Sequence, residues 1–281
     1  MKVNYPYLHQ QFKNNKPYFN ELKKLVKSGE FTLGPFVEKF EYKFAKYIGV
    51  KYAIGTNSGT DAIRLSLISL GVKKGDEVIT AANTFIATVG AIISVGAKPV
   101  LVDCDERFQI DTNLIEKSIT KKTKVIIPVH WAGAPCEIDK IKKIAHKYNL
   151  NIVEDACPSV GALYKGKNCG TFGNVNAFSM HPLKPLNVWG DGGVIVTNNK
   201  KIYNFLKLYR NHGLRDRNHV NIWGINNRLQ PFQAVIGYKL LDQMENLIKK
   251  RNEIAKFYDN QLKNISENEL PERLKNTRED F

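Results

Sequence analysis

Cysteine is scarce. Four occur in the 281 residues, Cys104, Cys136, Cys157 and Cys169, and no two stand in a C-x-x-C pair. That spacing offers neither a zinc knuckle nor a disulfide framework, so they read as scattered reduced thiols with no metal to hold. Long apolar runs are missing too. The best, Gly90 to Val102, is broken by Lys98, well short of the ~18 uninterrupted residues of a membrane span. The opening MKVNYPYLHQ has no apolar signal core, which makes the cytoplasm the default location. Glycine (20) and proline (11) are ordinary in amount and no heptad run persists, which excludes collagen-like and coiled-coil classes. Acidic residues are outnumbered, 27 against 42 basic, leaving a net charge of +15. The lysines are single or paired, as in Lys23-Lys24, Lys73-Lys74 and Lys249-Lys250, with no arginine-rich block or aromatic RNA-binding signature. Solvated helix faces explain most of this excess and anionic small molecules come second; nucleic acid is not expected as a partner.

With 43% apolar and 25% charged residues, the chain can bury a sizeable core. Its length suits one large α/β unit or two modest domains. Short β-rich runs alternate with amphipathic segments. Periodicity predicts helices over 36–48, 59–70, 84–95 and 137–148, and strands over 52–55, 77–80, 98–102, 124–129, 151–154, 175–179 and 193–197. Such alternation implies βαβ crossovers and a mostly parallel sheet flanked by helices. Ligands of such sheets bind at the carboxyl ends of strands, which directs attention to loops 56–60, 81–85, 130–135, 155–161 and 180–191. From Leu229 to about Leu262 the pattern predicts one long helical stretch, and the polar tail after it has little core of its own. The expected division is a large domain over 1–225, opened by a helical arm over 1–30, and the start of a smaller, truncated C-terminal domain over 226–281.

Three loops carry chemistry. T-N-S-G-T-D at 56–61 lies between a strand and a helix. Its small residues admit a ligand to the backbone, and the helix's first N–H groups point at an anion. Taken alone, the same segment is equally well a plain N-cap by Asn57 or Ser58. N-I-V-E-D-A at 151–156 puts Asp155 just past a buried strand, where a carboxylate requires a cationic or hydrogen-bonding partner; capping of the following turn is the commoner use of such an Asp. F-S-M-H-P-L-K-P-L at 178–186 places Lys184 between two prolines that restrain its backbone, and such a lysine can act as nucleophile or Schiff-base former. Anion cradle, strand-end carboxylate and loop lysine match one ligand, pyridoxal phosphate, through its phosphate, its pyridinium nitrogen and its aldehyde.

From about Tyr18 to about Tyr258 the chain resembles the DegT/StrS family of pyridoxal-phosphate-dependent nucleotide-sugar aminotransferases, which have the type I aminotransferase fold. The resemblance is carried by F-T-L-G-P-F-V-E-K-F-E at 31–41, T-N-S-G-T-D-A, T-F-I-A-T at 84–88, V-E-D-A, S-M-H-P-L-K, G-D-G-G-V-I-V-T-N, R-N-H-G at 210–213 and N-N-R-L-x-x-x-Q-A at 226–234. It implies that Lys184 forms the Schiff base and shuttles the proton, with His181 beside it in the loop. Asp155 pairs with the ring nitrogen. Gly59, Thr60, Asp61 (through its backbone) and Ser179 hold the phosphate, and Phe85 stacks on the ring. Asn226 reaches the phosphate of a neighbouring subunit, which implies a homodimer. One position departs from the family pattern: the polar residue three after the Asp is Pro158, which has no side-chain donor. The reaction the resemblance implies moves an amino group from an amino acid, glutamate being the expected donor, to the keto group of a nucleotide-linked deoxysugar for polysaccharide or glycan synthesis. Two alternatives stand beside it. Deoxysugar dehydratases of the same family carry histidine where this chain has Lys184, and a non-catalytic cofactor-binding regulator or fragment would keep the same cofactor residues.

Overall fold

A strand covered on both faces needs apolar residues at successive positions, because neighbouring side chains point to opposite sides. Val78 and Ile79 are both fully buried, and they enter different cores. The computed structural model, which describes residues 7–265, 267 and 269–280, shows the layers responsible. In chain order its elements are α1 (Leu8–Gln11), α2 (Lys16–Ser28), α3 (Pro35–Ile48), β1 (Tyr52–Thr56), α4 (Gly59–Ser69), β2 (Glu77–Ala81), α5 (Ile86–Ser94), β3 (Lys98–Val102), α6 (Thr112–Ile115), β4 (Thr123–Ile127), α7 (Ile138–Lys147) and β5 (Asn151–Ile152). There follow β6 (Leu163–Tyr164), β7 (Lys167–Asn168), β8 (Asn176–Ser179), β9 (Gly193–Thr197), α8 (Lys200–Tyr209), β10 (Leu214–Asp216), β11 (His219–Val220), α9 (Pro231–Leu240), α10 (Met244–Leu262) and β12 (Thr277–Arg278).

Strands β3, β2, β4 and β5 pair in parallel in that order. Single parallel bridges, Val129 to Asp155 and Asp155 to Ala177, carry the sheet across to β8. The sheet continues through β9 to β1, with β9 antiparallel to both neighbours. The mostly parallel expectation therefore holds with β9 reversed. One face is covered by α4, α5 and α8, through Ile63, Leu67, Ile92 and Leu206 among others. On the other face lie α7, through Ile138 and Ile141, and α3 with α9, through Phe40, Phe44, Ala234 and Leu240. Phe44 meets Phe178 of β8 edge-on at 5.2 Å. Ladder β4 stops at Ile127, not at Val129 as expected, because Pro128 has no N–H to donate. No described helix is long and apolar enough to cross a membrane, and no group of three or more metal-binding side chains occurs among the described residues.

The C-terminal part differs from the single long helix expected. A 3-10 turn at Leu241–Gln243 separates α9 from α10, and Leu229, Ala234, Leu240, Met244 and Ile248 share the core of α3. The polar tail is not idle. Its strand β12 pairs with β6, and the Arg278 guanidinium donates to the Gly161 carbonyl at 2.6 and 3.0 Å. The Asp280 N–H donates to the Gly133 carbonyl at 3.1 Å.

Asp280 is a pH-sensitive point of the tail, beside Glu279, whose carboxyl pKa burial also raises. The Asp280 carboxylate oxygens are buried without hydrogen-bond partners among the described residues, and burial pushes its pKa up to about 8. The unfolded chain releases this proton near pH 4, so stability falls as pH rises from ~4 towards ~8, where the native carboxyl also ionises. Asp280→Asn should flatten that decline by at least ~1.4 kcal/mol, the equivalent of one pKa unit. Urea unfolding at pH 5 and pH 8 measures it, and equal slopes for both proteins would refute it.

Candidate active site

The cradle begins where β1 turns into α4. Ser58 caps α4, its Oγ accepting from the Asp61 N–H at 3.0 Å. The capping reading holds, and it occupies the Asp61 N–H alone. The N–H groups of Gly59 and Thr60 remain directed out of the helix end. Asp61 departs from expectation: its N–H is taken by Ser58, and its carboxylate accepts from Arg64 Nε at 2.7 Å. The donors left for an anion are the N–H groups of 59 and 60 and the hydroxyls of Thr60 and Ser179. Gly59 is there because of a close approach. A Cβ on it would lie 2.7 Å from Ser179 Cβ and 3.1 Å from Cys157 Sγ. The first motif therefore abuts the third directly, and the second through the residue that follows it.

Two adjacent carboxylates follow β5, and their partners lie on different sides. Glu154 is fully buried and accepts from the N–H groups of Gly170, Phe172 and Gly173 at 2.7, 2.6 and 2.7 Å. His130 Nε2 lies 2.9 Å from it, while His130 Nδ1 accepts from the Cys136 N–H at 3.1 Å. With Nδ1 accepting, Nε2 carries the proton and donates to Glu154. Every lone-pair direction of Glu154 is thereby engaged in scaffold. Asp155 points the other way. Its Oδ2 accepts from Thr88 Oγ1 at 2.7 Å and its Oδ1 from the Cys157 N–H at 3.1 Å. The turn cap that competes with a ligand role is present, yet it uses one oxygen only. Thr88 is in turn 2.8 Å from Thr84, four positions earlier in the bend before α5. Thr88 and Cys157 were not singled out from sequence; the Thr84/Thr88 spacing of four was the available signal. Burial first, then the Asp155 charge, holds the Cys157 thiol well above its usual range and protonated, with Lys184 opposing.

Lys184 lies in the loop joining β8 to β9. Its N–H donates to the His181 carbonyl at 2.8 Å, and the Leu183 N–H donates to His181 Nδ1 at 3.2 Å. His181 therefore shapes the lysine's turn. Ser179 Oγ accepts from the His181 N–H at 3.3 Å, which leaves its hydroxyl proton free to donate. Among the described residues Lys184 Nζ has no hydrogen-bond or ion-pair partner, although the group is close enough to Cys157 to bias its thiol. Phe85, at the start of α5, is 66% exposed, so its ring face is available.

The N-N pair at 226–227 divides its labour. Asn227 is buried, donates to Asn57 Oδ1 at 2.9 Å and accepts from Arg64 at 3.1 Å, which ties it to the cradle. Asn226 is exposed and outward, its Oδ1 accepting from Arg228 Nε at 2.9 Å. A further brace was not foreseen. Arg210 donates to the Gly55 carbonyl at 2.7 Å and pairs with Glu41, which accepts from the Gly55 N–H at 2.8 Å. This buried ion pair grips β1 one residue before the cradle.

The arrangement gathers the head of α4, the Asp155 carboxylate and the unengaged amine of Lys184 around Cys157. The family described as DegT/DnrJ/EryC1/StrS aminotransferase matches residues 13–280. The UDP-2-acetamido-2-deoxy-3-oxo-D-glucuronate aminotransferase of Pseudomonas aeruginosa is 40% identical over 87% of this chain and 68% of its own length. GDP-perosamine synthase of Escherichia coli O157:H7 is 38% identical over 89% of this chain and 69% of its own. This chain thus spans about two thirds of these relatives. The crystal structure of S. venezuelae DesV in complex with a ketimine intermediate superposes with a TM-score of 0.96 at 34% identity, covering 99% of this chain and 76% of that one.

Proposed function

Because the chain belongs to the DegT/DnrJ/EryC1/StrS aminotransferase family, we propose that it transfers an amino group from an amino acid, glutamate, to the keto group of a nucleotide-linked sugar, with pyridoxal phosphate as cofactor. The observation that carries this reading is the convergence of Gly59, Ser179 and Cys157 within contact distance, with Cys157 held by the Asp155 carboxylate and Lys184 five residues after Ser179 in the same loop. The residues present suit the cofactor. An anion fits the N–H and hydroxyl donors of Gly59, Thr60 and Ser179, where a Cβ on Gly59 would collide. A protonated ring nitrogen fits Asp155, whose carboxylate is oriented by Thr88. Pro158 leaves the ring oxygen without the side-chain donor of the family pattern.

When bound, pyridoxal phosphate supplies an aldehyde that joins amines and a ring that accepts the electron pair freed as a Cα–H bond breaks. Lys184 provides Nζ as the attachment point and, when free, as the base that moves that proton. Asp155 keeps the ring nitrogen protonated by its negative charge. Phe85 offers the exposed ring face for stacking. The net charge of +15 favours a diphosphate-linked substrate over a neutral sugar. Incubation with glutamate and a panel of nucleotide keto sugars, followed by detection of the amino sugar and 2-oxoglutarate, tests the reaction. No product from any of them would count against it.

Asn226 is the residue through which a second copy enters the reading. It is exposed and its Nδ2 has no partner among the described residues. In a homodimer with a two-fold interface it would donate to the phosphate held by the neighbouring chain. Asn226→Ala should weaken cofactor binding about ten- to a hundredfold, as befits one lost bond to an anion, without unfolding the protein. Mixed with Lys184→Ala, it should recover part of the activity. One site of each mixed dimer then has both lesions, and the other has native Lys184 and native Asn226. No recovery despite proven subunit exchange would exclude the shared site.

A further inference from the structure

The four-residue helix α1 has no side-chain cap and no buried residue. A helix that short does not hold itself together in water. What it docks on is the loop that carries Lys184. Asn187, three residues after the lysine, is 1% exposed. Its Nδ2 donates to Gln11 Oε1 at 3.1 Å and reaches the Lys184 carbonyl at 3.5 Å. One amide thus joins the arm to the backbone of the lysine. Trp189 completes the junction. Its φ of +58° lies in the left-handed region, which a bulky residue adopts only when its surroundings impose it. The surroundings are aromatic: Phe12 at 5.3 Å and 89°, Tyr18 at 5.5 Å and Phe19 at 5.9 Å, all from the arm or α2. The loop's own backbone bonds, Lys184 N–H to the His181 carbonyl and Val188 N–H to the Met180 carbonyl, hold its two ends. The stretch after Lys184 is also held from outside, at Asn187 and Trp189.

On the reading that Lys184 carries the cofactor, we propose that the N-terminal arm sets the conformation of the lysine's loop, with Gln11, Asn187 and Trp189 as positioning residues. Arm docking and cofactor attachment are then linked, each strengthening the other by the same factor. The junction uses only the oxygen of Gln11, because Gln11 Nε2 is buried without a partner among the described residues. That asymmetry makes the proposal testable. Gln11→Leu removes the acceptor. Gln11→Glu keeps it, and Lys250 and Arg251 line the same cleft and favour the added charge.

The experiment combines cofactor titration with amide hydrogen exchange on the full chain. Gln11→Leu should raise the dissociation constant for pyridoxal phosphate about fivefold, the scale of one neutral hydrogen bond. In the apoprotein it should accelerate exchange at Lys184 and Val188 while the core amides of β2 and β4 keep their rates. Gln11→Glu should restore both properties, and added cofactor should slow exchange over residues 7–15 in the wild type. A wild-type dissociation constant in Gln11→Leu, acceleration spread equally into β2 and β4, or a Gln11→Glu as weak as Gln11→Leu would overturn the proposal. Borohydride reduction of the wild type separates the two levels of inference. A cofactor found off Lys184 defeats the functional reading, whereas a cofactor on Lys184 with arm-independent affinity defeats only the arm's role.

Discussion

Lys184→Ala should lower amino transfer by at least ~10³-fold, within the range that positioned acid–base groups contribute, while the protein still folds and still binds pyridoxal phosphate. Stability is spared because Lys184 Nζ has no partner among the described residues and the side chain is absent from the buried core. Its backbone bond to the His181 carbonyl survives the substitution. Affinity falls only in part, because the donors at Gly59, Thr60 and Ser179 and the carboxylate of Asp155 remain. Borohydride treatment of the wild type, followed by peptide mapping, should place the reduced cofactor on the peptide that contains Lys184. Reduction should attach nothing to Lys184→Ala. A label on another lysine, or activity retained in the variant, would remove Lys184 from the chemistry.

Asp155→Asn should slow the half-reaction with glutamate by ~10²-fold or more, the scale on which a single electrostatic stabiliser acts in catalysis, and should weaken cofactor binding. The substitution changes charge and little else. The amide oxygen can still accept from Thr88 or from the Cys157 N–H, so the turn after β5 keeps its shape. What disappears is the negative charge that keeps the ring nitrogen protonated. Stopped-flow absorbance after mixing with glutamate reads the step directly. An unchanged rate would show that Asp155 serves only as the cap of its turn. Thr88→Val is the companion measurement: it keeps the charge and removes its orientation, so its loss should be smaller than that of Asp155→Asn.

Lys184 and Asp155 stand out in the sequence as candidates because three short segments occur together, none of which decides the matter alone. Alternating strand and helix patterns place the loops, and T-N-S-G-T-D, V-E-D-A and S-M-H-P-L-K name the groups within them. The arrangement adds reasons that the segments do not contain. Gly59 needs to be glycine because Ser179, 120 positions away by their numbers, occupies the space of its Cβ. Glu154 and Asp155 are chemically alike, yet strand alternation sends one into the scaffold around His130 and the other towards Thr88. Of the two asparagines at 226 and 227, only the fold shows which braces the cradle and which faces outward.

Local physics, acting within a helical turn or a pair of strand residues, already dictated the layered α/β class, the helices at α3, α4 and α7, and the cap at the head of α4. Periodicity and capping depend on neighbours a few residues apart. The reversed strand β9, the 3-10 break after α9, the Glu41–Arg210 grip on Gly55, the return of β12 to β6 and the arm against the Lys184 loop were decided by packing. Each joins segments far apart in the chain or depends on how elements meet in the folded protein. Arg210 and Glu41 are separated by 169 positions, and Asn187 and Gln11 by 176. Such pairings depend on which surfaces a folded sheet brings together and on how buried polar groups find partners there, and no window of sequence contains both halves of the contact.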